Sequence, residues 1–290
     1  MSATPASEGG GGEGPTHFVA LPTEEFVAEA ERLVKGAQDR GIVLRILGAL
    51  AIYIHSKHVP EALKIYDKIK RFGEGKPMFT DLDLAAYSKQ RKKVMDYFEK
   101  ELKFKYDMMM RVLWAGKRLI YFHPKDYYHV DVFFDKLEFS HDVVFGNKPG
   151  KGRLELDYPT ISLADLVLEK VQIHQINLKD IVDLMVLFYG HDVCDRHEKE
   201  CVDGKYIAKV LADDWGFWYD ATNNLNKVKH FTEKYFSEGK LSKEERDRII
   251  ERVDKLLKMI DEEPKTKKWK KRAKVGTSKP WYREVEEVVR

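Results

Sequence analysis

The sequence predicts an α/β protein in which a mixed sheet with flanking helices is followed by an all-helical second half. Two stretches of the first half, FTDLDLAAY and YHVDVFFD, place acidic residues between apolar ones, which is the two-residue period of a β-strand. From Ile161 onward, apolar residues recur instead at the spacing of amphipathic helices. The order of these patterns places the sheet before the helices.

The composition is typical of soluble globular proteins. Of the 290 residues, 34% are charged and 43% are hydrophobic, which excludes the disordered, collagenous and membrane-embedded classes. No apolar run approaches the roughly 18 to 20 residues that cross a bilayer, and the N-terminus lacks the basic start and apolar core of a signal peptide. We expect a cytoplasmic protein with no membrane partner.

The first elements follow from local signals. Residues 1–18 are rich in Gly, Ser, Glu and Pro, and their low apolar content predicts a disordered leader. Thr23 is placed to cap a helix that continues to Gly41. The apolar run Val43–Leu47 then predicts a short buried strand.

A glycine and two helices come next. Gly48 directly follows the strand, and Ala49–His55 predict a helix whose first N–H groups face the strand end. Pro60 suits the first position of the following helix, because its missing N–H has no helical partner there. Ser88 is placed to cap a further helix that runs to about Leu102.

The acidic strands are candidates for a divalent-metal site. Alternation sends Asp81 and Asp83 to the same face of their strand, where two like charges cost free energy unless they share a cation. Arg118–Phe122 and His129–Phe134 predict two more strands, and the second carries Asp131 between valines. If this strand lies beside the first, the three carboxylates can hold two hard cations.

The second half, 161–262, predicts helices with clear boundaries. Ser162 caps the first helix, and the helix LKDIVDLMVLFYG ends on Gly190. Ser242 and Glu245 form a capping box at the start of a later helix.

The ordered series LGALA, FTDLDL and HVDVFF resembles the nucleotidyltransferase superfamily that shares the palm of DNA polymerase β. That pattern is a small-residue pair at a strand-to-helix turn, an acid-apolar-acid strand and an acid on a third strand. The resemblance implies a palm domain over 19–160. The matching residues are Gly48 and Ala49 in the turn, Asp81 and Asp83 on one strand, and Asp131 on the next.

The following helices are similar to those of the AbiEii branch, the toxin-like nucleotidyltransferases. Lys170 matches the helix lysine of that branch, and Lys179, Asp180 and Asp183 match its Lys-Asp-x-x-Asp motif. The resemblance covers about residues 40 to 190. It implies transfer of a nucleotide from a nucleoside triphosphate (NTP) to an acceptor hydroxyl, with Mg²⁺ or Mn²⁺ as cofactor.

The resemblance also implies roles for single residues. Asp81 and Asp83 would hold the metal bound to the triphosphate, and Asp131 would help to hold a second. The turn at Gly48 would bring backbone amides to the phosphates, while Ala49 lacks the hydroxyl that members with serine use there.

The helical half would supply the charges that face the phosphates. The resemblance implies that Lys170 and Lys179 neutralise phosphate oxygens. Asp180 and Asp183 lie one helical turn apart and would orient a lysine or a base.

A basic segment, 263–290, follows the helices as a tail. From Pro264 to Arg283 there are nine Lys or Arg and no acid, so the rest of the chain is net negative by about six charges. Trp269, Trp281 and Tyr282 lie among these cations. The tail suits contact with an RNA backbone, or it is a solvated segment whose aromatic rings pack on the body.

Two functions remain open at this point. The first is an enzyme whose acceptor is RNA, such as the 3′ end of tRNA, or a protein hydroxyl, and which has an antitoxin partner in the toxin-like reading. The second is a catalytically inactive module that binds RNA or a partner protein through its basic tail.

The two cysteines give no basis for a disulfide framework and fit a reducing compartment. Together with two nearby histidines they suggest a zinc site, but their spacing matches no common zinc pattern. We therefore interpret them as surface residues after a helix end. The cluster comprises His191, Cys194, His197 and Cys201.

Overall fold

A computed structural model of the chain describes residues 21–71, 77–114 and 116–285, so the predicted leader at 1–18 and the end of the predicted tail lie outside the described residues. The fold is α/β, with a mixed four-stranded sheet and flanking helices in the N-terminal part and a largely helical C-terminal region. The predicted fold class is confirmed.

Eleven α-helices and eight strands make up the described residues. The helices are α1 (Thr23–Gln38), α2 (Gly48–Ser56), α3 (Pro60–Ile69), α4 (Arg91–Met95), α5 (Met108–Trp114), α6 (Leu163–Val171), α7 (Leu178–Gly190), α8 (Gly204–Asp213), α9 (Trp215–Ser237), α10 (Lys243–Glu262) and α11 (Lys267–Ala273). The strands are β1 (Leu44–Ile46), β2 (Asp81–Ala86), β3 (Arg118–Phe122), β4 (His129–Phe134), β5 (Lys136–Glu138), β6 (Asp142–Val144), β7 (Asp192–Cys194) and β8 (Cys201–Asp203). None of these helices is long and apolar enough to cross a membrane.

The main sheet brings the acidic strands together. Its strand order is β1-β2-β4-β3, with β2 and β4 parallel and both outer strands antiparallel to their neighbours. The register pairs Asp83 with Asp131 and Asp81 with His129. The strand that carries Asp131 therefore lies beside the strand that carries the other two aspartates.

The turn from β1 into α2 meets β2 near its acidic residues. The Leu47 N–H donates to the carbonyl oxygen of Asp83 at 3.0 Å, which fixes the end of β1 beside that residue. Helix α2 begins at the next residue, Gly48. The start of α2 is thereby placed next to the acidic strand.

Helices α6 and α7 close the other side of the same region. All nine residues of α6 are buried, and α7 is buried from Ile181 to Tyr189. Helix α7 packs on both α2 and α3, so a continuous hydrophobic core joins the sheet to the helical region. This packing brings the polar residues of α6 and α7 to the start of α2.

Several predicted helix starts are confirmed, two predicted N-caps are wrong, and two of the predicted α-helices end earlier than expected, at Gln38 and Met95. Pro60 occupies the first turn of α3, Ser162 caps α6, and Ser242 opens α10 with the predicted capping box. Thr23 is wrong as an N-cap, because it is the first residue of α1 and Pro22 precedes it without a side-chain cap. Ser88 is also wrong as a cap: its side chain makes no cap hydrogen bond, and its N–H donates to Asp135 at 2.8 Å.

The two cysteines are bonded to each other, although no disulfide was expected from the sequence. Strands β7 and β8 pair in parallel and bring the Cα atoms of Cys194 and Cys201 to 6.0 Å, where the two residues form a disulfide. His197 lies apart from them, with Nε2 3.1 Å from the carbonyl oxygen of Leu156. The four-residue cluster singled out in the sequence is thus not a common site, because the disulfide removes both thiolates.

Candidate active site

Three aspartates lie together on the central strands of the sheet. Asp83 and Asp131 are register partners, and Asp81 begins β2 on the same strand as Asp83. The Asp131 side chain is only 2% exposed, whereas that of Asp81 is 49% exposed. The group therefore runs from the interior of the sheet to an opening at its surface.

The electrostatics of this group favour a cation. Burial and the negative charges of Asp81 and Asp131 raise the pKa of Asp83 well above its usual value. Among the described residues, no three ligand atoms within 4.8 Å of one another come from these aspartates. A cation bound between the carboxylates would offset the repulsion between their charges.

Two cationic or ionisable side chains flank Asp131, and neither was predicted as a site residue from the sequence. Arg118 on β3 has Nε 3.7 Å from Asp131 Oδ1. His129 has Nε2 3.8 Å from Asp81 Oδ2 and 3.9 Å from Asp131 Oδ2. His129 precedes Asp131 by two residues on β4, so the strand period could have revealed that both side chains share one face.

Gly48 lies across from the aspartates at the start of α2. Its φ of +74° is in the left-handed region, which favours glycine, and a Cβ there would lie 3.5 Å from Asp83 Oδ2. The Gly48 N–H, expected to face a phosphate, donates to Glu169 Oε2 at 3.1 Å. A carboxylate thus occupies the anion position at this helix N-terminus, beside the half-buried Ala49.

Glu169 was not predicted as a site residue, although it precedes Lys170 directly. Burial raises the pKa of the Glu169 carboxyl to about 7, although Lys170 and the Gly48 N–H favour its charged form. The side chain is therefore poised to change charge near neutral pH.

Replacing Glu169 with glutamine should stabilise the metal-free protein at high pH. Because the folded-state pKa lies above the usual value of 4.5, the contribution of Glu169 to stability is full below that pH and is lost as the pH rises through about 7. Urea unfolding in EDTA should show the variant more stable at pH 8, by about 3 kcal/mol, and equal to wild type near pH 4. Glu25→Gln, at an exposed position of α1, should show no such trend, and a difference for Glu169→Gln that does not grow with pH would contradict the prediction.

Lys170 is the centre of a buried ion network. Its Nζ lies 2.6 Å from Asp180 Oδ1 and 3.1 Å from Asp183 Oδ2, and the Asp183 side chain is fully buried. Burial alone would lower the pKa of Lys170, but the charges of Asp180 and Asp183 outweigh it and raise the pKa above its usual value. Asp180 and Asp183 therefore both contact Lys170.

Arg71 completes the network and was not predicted as a site residue from the sequence. Its Nε lies 2.5 Å from Asp183 Oδ1, and its guanidinium also donates to Asp183 Oδ2 at 2.6 Å. Its Nε also lies 3.3 Å from the carbonyl oxygen of Lys179, whose side chain is exposed. Arg71 therefore links the end of α3 to the start of α7.

A cavity of about 320 Å³ lies between α2, β2 and the helical wall, which is formed by α6 and α7. This volume is in the range of small-ligand pockets. Asp131 and Asp183 are buried and do not line this cavity. The charged lining residues are Arg71, Asp81, Asp83, Glu169, Lys170, Lys179 and Asp180.

The aromatic residues of the basic tail pack on the body. The Trp281 Nε1–H donates to Asp220 at 3.1 Å, and the ring of Tyr282 stacks on His174 with centroids 3.7 Å apart. Trp269 is also partly buried. Base stacking on these rings is thereby restricted, whereas the lysines of α11 remain on the surface.

A larger cavity, of about 870 Å³, lies where the tail crosses the start of α9. Its lining acids include Asp142, which pairs with Arg283, and Asp213, which pairs with Lys268 at 3.1 Å. Because these acids are neutralised by the tail itself, we place the candidate active site in the smaller cavity.

Comparisons with protein-family models, curated proteins and solved structures find no match to this chain. Function is therefore inferred from the residues and their geometry. The main features are a cavity lined by Asp81 and Asp83, the start of α2 at Gly48, and the cations Arg71, Lys170 and Lys179.

Proposed function

We propose that this chain is a metal-dependent nucleotidyltransferase that moves a nucleotide from an NTP to an acceptor hydroxyl. The observation that carries the proposal is the register pairing of Asp83 with Asp131 on parallel strands, beside a helix that begins at Gly48. The motif resemblance to the nucleotidyltransferase superfamily and its AbiEii branch supports the same activity.

In this proposal, the acids divide the metal-binding work. Asp81 and Asp83 would hold the Mg²⁺ or Mn²⁺ that accompanies the triphosphate, and Asp131 would help to hold a second cation near the acceptor. Such cations stabilise the charge that develops on phosphoryl oxygens and lower the pKa of a bound hydroxyl. The acceptor oxygen forms a bond to the α-phosphorus, the bond to the β-phosphate oxygen breaks, and pyrophosphate leaves as the hydroxyl proton is lost to solvent.

The phosphates would lie between the start of α2 and the helical wall. Lys179, on the rim of the cavity, is the lysine we assign to direct phosphate contact, and Lys170 would act with Asp180 and Asp183 as a charged support. A phosphate that approaches Gly48 competes with Glu169 for the same backbone N–H. Protonation of Glu169 would ease that exchange.

The test is a labelling assay with the purified full chain. Each α-³²P-labelled triphosphate is incubated in turn with Mg²⁺ or Mn²⁺, total cellular RNA and total cellular protein. Label in one pool that disappears with EDTA would establish nucleotidyl transfer and identify the acceptor class. No label in either pool, together with no metal-dependent triphosphate binding, would favour the inactive binding module.

We further propose RNA, such as the 3′ end of tRNA, as the acceptor, with the tail as part of its binding surface. Changing Lys267, Lys270, Lys271 and Lys274 to glutamine should weaken RNA binding and flatten its salt dependence, because exposed lysines release counterions from a phosphate backbone. Electrophoretic mobility shifts at several salt concentrations measure both effects. Unchanged affinity and salt slope would remove the tail from the RNA-binding surface and leave a protein hydroxyl as the acceptor to examine.

The proposal also includes the cellular compartment and a protein partner. We place the reaction in the cytoplasm, where NTPs and RNA are both available. In the toxin-like reading, a neutralising antitoxin would bind the chain and block the cavity or the tail. Co-expression with neighbouring genes, scored by rescue of growth, tests for that partner.

A further inference from the structure

A second cluster of metal-ligating side chains lies at the other end of α2. His58 follows the end of α2, His191 directly follows α7, and Glu200 directly precedes β8. One ligand atom from each of these residues lies within 4.8 Å of the others. Helix α2 has nine residues, so this cluster is about 13 Å from the start of the helix at Gly48.

Both histidines have one ring nitrogen at a backbone carbonyl. His58 Nδ1 lies 2.7 Å from the carbonyl oxygen of His55, and His191 Nδ1 lies 3.2 Å from that of Glu200. An Nδ1–H that donates to a carbonyl leaves the Nε2 lone pair for a metal, and this is the arrangement typical of histidines that bind metals. In His191 this Nε2 lies 3.4 Å from the Ser56 hydroxyl, so a metal would replace the hydroxyl as its partner.

The carboxylate is also held in place. Glu200 Oε2 lies 3.0 Å from His55 Nδ1, and His55 Nε2 lies 2.7 Å from the hydroxyl of Thr160. Glu200 itself has a φ of +57°, a left-handed conformation that costs energy in a residue other than glycine, and the disulfide at Cys201 anchors the next residue. The backbone thus fixes this carboxylate beside the two imidazoles.

We propose that His58, His191 and Glu200 bind a Zn²⁺ ion. Two imidazole nitrogens and one carboxylate oxygen are a common zinc ligand set, with water in the fourth position. His58 is exposed, so the fourth position is open to solvent. Tetrahedral ligands at zinc distances are about 3.3 Å apart, so ligand atoms that lie within 4.8 Å of one another need to close by at most about 1.5 Å. The ion would tie the α2–α3 turn to the end of α7 and to the strand that begins at Cys201.

The test is calorimetric titration of the EDTA-stripped, oxidised full chain with ZnCl₂ in buffer without Mg²⁺. The variant is His58→Gln, because this exposed side chain can change without disturbing the core. His197→Gln is the matched control, since His197 is an exposed histidine between β7 and β8 that contributes no ligand. Asp83→Asn is a second control that removes a carboxylate from the candidate active site.

We expect one equivalent of Zn²⁺ to bind the wild type, His197→Gln and Asp83→Asn alike. In each of these proteins, zinc should raise the melting temperature above that of the metal-free protein. In His58→Gln, affinity should fall at least about tenfold and the thermal shift should shrink, because loss of a ligand costs more than loss of a supporting hydrogen bond. Absence of saturable binding to the wild type overturns the proposal. So does equal affinity in His58→Gln, or loss of binding in Asp83→Asn, which would assign the ion to the aspartates.

Discussion

Replacing Asp83 with asparagine should abolish nucleotide transfer and leave the protein folded. The variant keeps the shape of the side chain and removes the charge that lies between Asp81 and Asp131. Under the proposed function, the change removes a carboxylate that holds the metal and with it several kcal/mol of transition-state stabilisation, which corresponds to at least about a thousandfold loss of rate. The labelling assay measures the rate, and titration with a fluorescent triphosphate in Mg²⁺ measures binding.

Stability separates this catalytic role from a structural one. Because the pKa of Asp83 is raised by burial and by its acidic neighbours, removing its charge should leave the metal-free protein equally stable or more stable. Asp39→Asn, at an exposed residue paired with Lys35, is the matched control and should transfer nucleotide normally. Full activity in Asp83→Asn, or a marked loss of its stability, would contradict the assignment.

Replacing Lys170 with methionine should destabilise the fold by about 3 to 5 kcal/mol, because it leaves buried carboxylates without their cation. Asp183 is fully buried and keeps Arg71 as a cationic partner, while Asp180 loses a partner at 2.6 Å. Methionine fills a similar volume, so a packing defect contributes little. Urea unfolding at pH 7 measures the change in the free energy of unfolding.

Lys179→Met is the control for this effect and a test of phosphate contact. Lys179 is exposed, so its loss should change stability by no more than about 0.5 kcal/mol. If it faces a triphosphate, its loss should nevertheless weaken nucleotide binding in Mg²⁺. Equal stability of Lys170→Met and wild type would mean that the buried network is not needed, and unchanged nucleotide affinity in Lys179→Met would remove that lysine from the site.

The periodicity of the sequence was sufficient to predict the sheet and its acids. Leu82 and Leu84 are buried while Asp81 is exposed, so the alternation of β2 reflects its two environments. The bounds of β3 and β4 were also predicted correctly, because apolar and β-branched residues dominate both. By contrast, α5 was not predicted from the sequence. None of its residues is buried, so its apolar residues do not follow the spacing of a helix with one buried face.

Other parts of the site depend on contacts between distant segments and could not be predicted. Glu169 reaches Gly48 across 121 positions of sequence, and Arg71 reaches Asp183 across 112. An isolated glutamate or arginine on a helix is usually solvated, so neither residue had a local signal. The motif included Gly48 and Asp183. Their partners, Glu169 and Arg71, are brought to them by the packing of α6 and α7 on α2 and α3.

The charges around the cavity determine the form in which a nucleotide can bind there. Its described lining carries three cations and four acids, and two of those cations, Arg71 and Lys170, already have acidic partners. A bare triphosphate, itself strongly anionic, would meet no surplus of positive charge there. Under the proposed function the nucleotide would have to arrive as its magnesium complex, so occupancy of the site would depend on the concentration of that complex and not on total nucleotide alone.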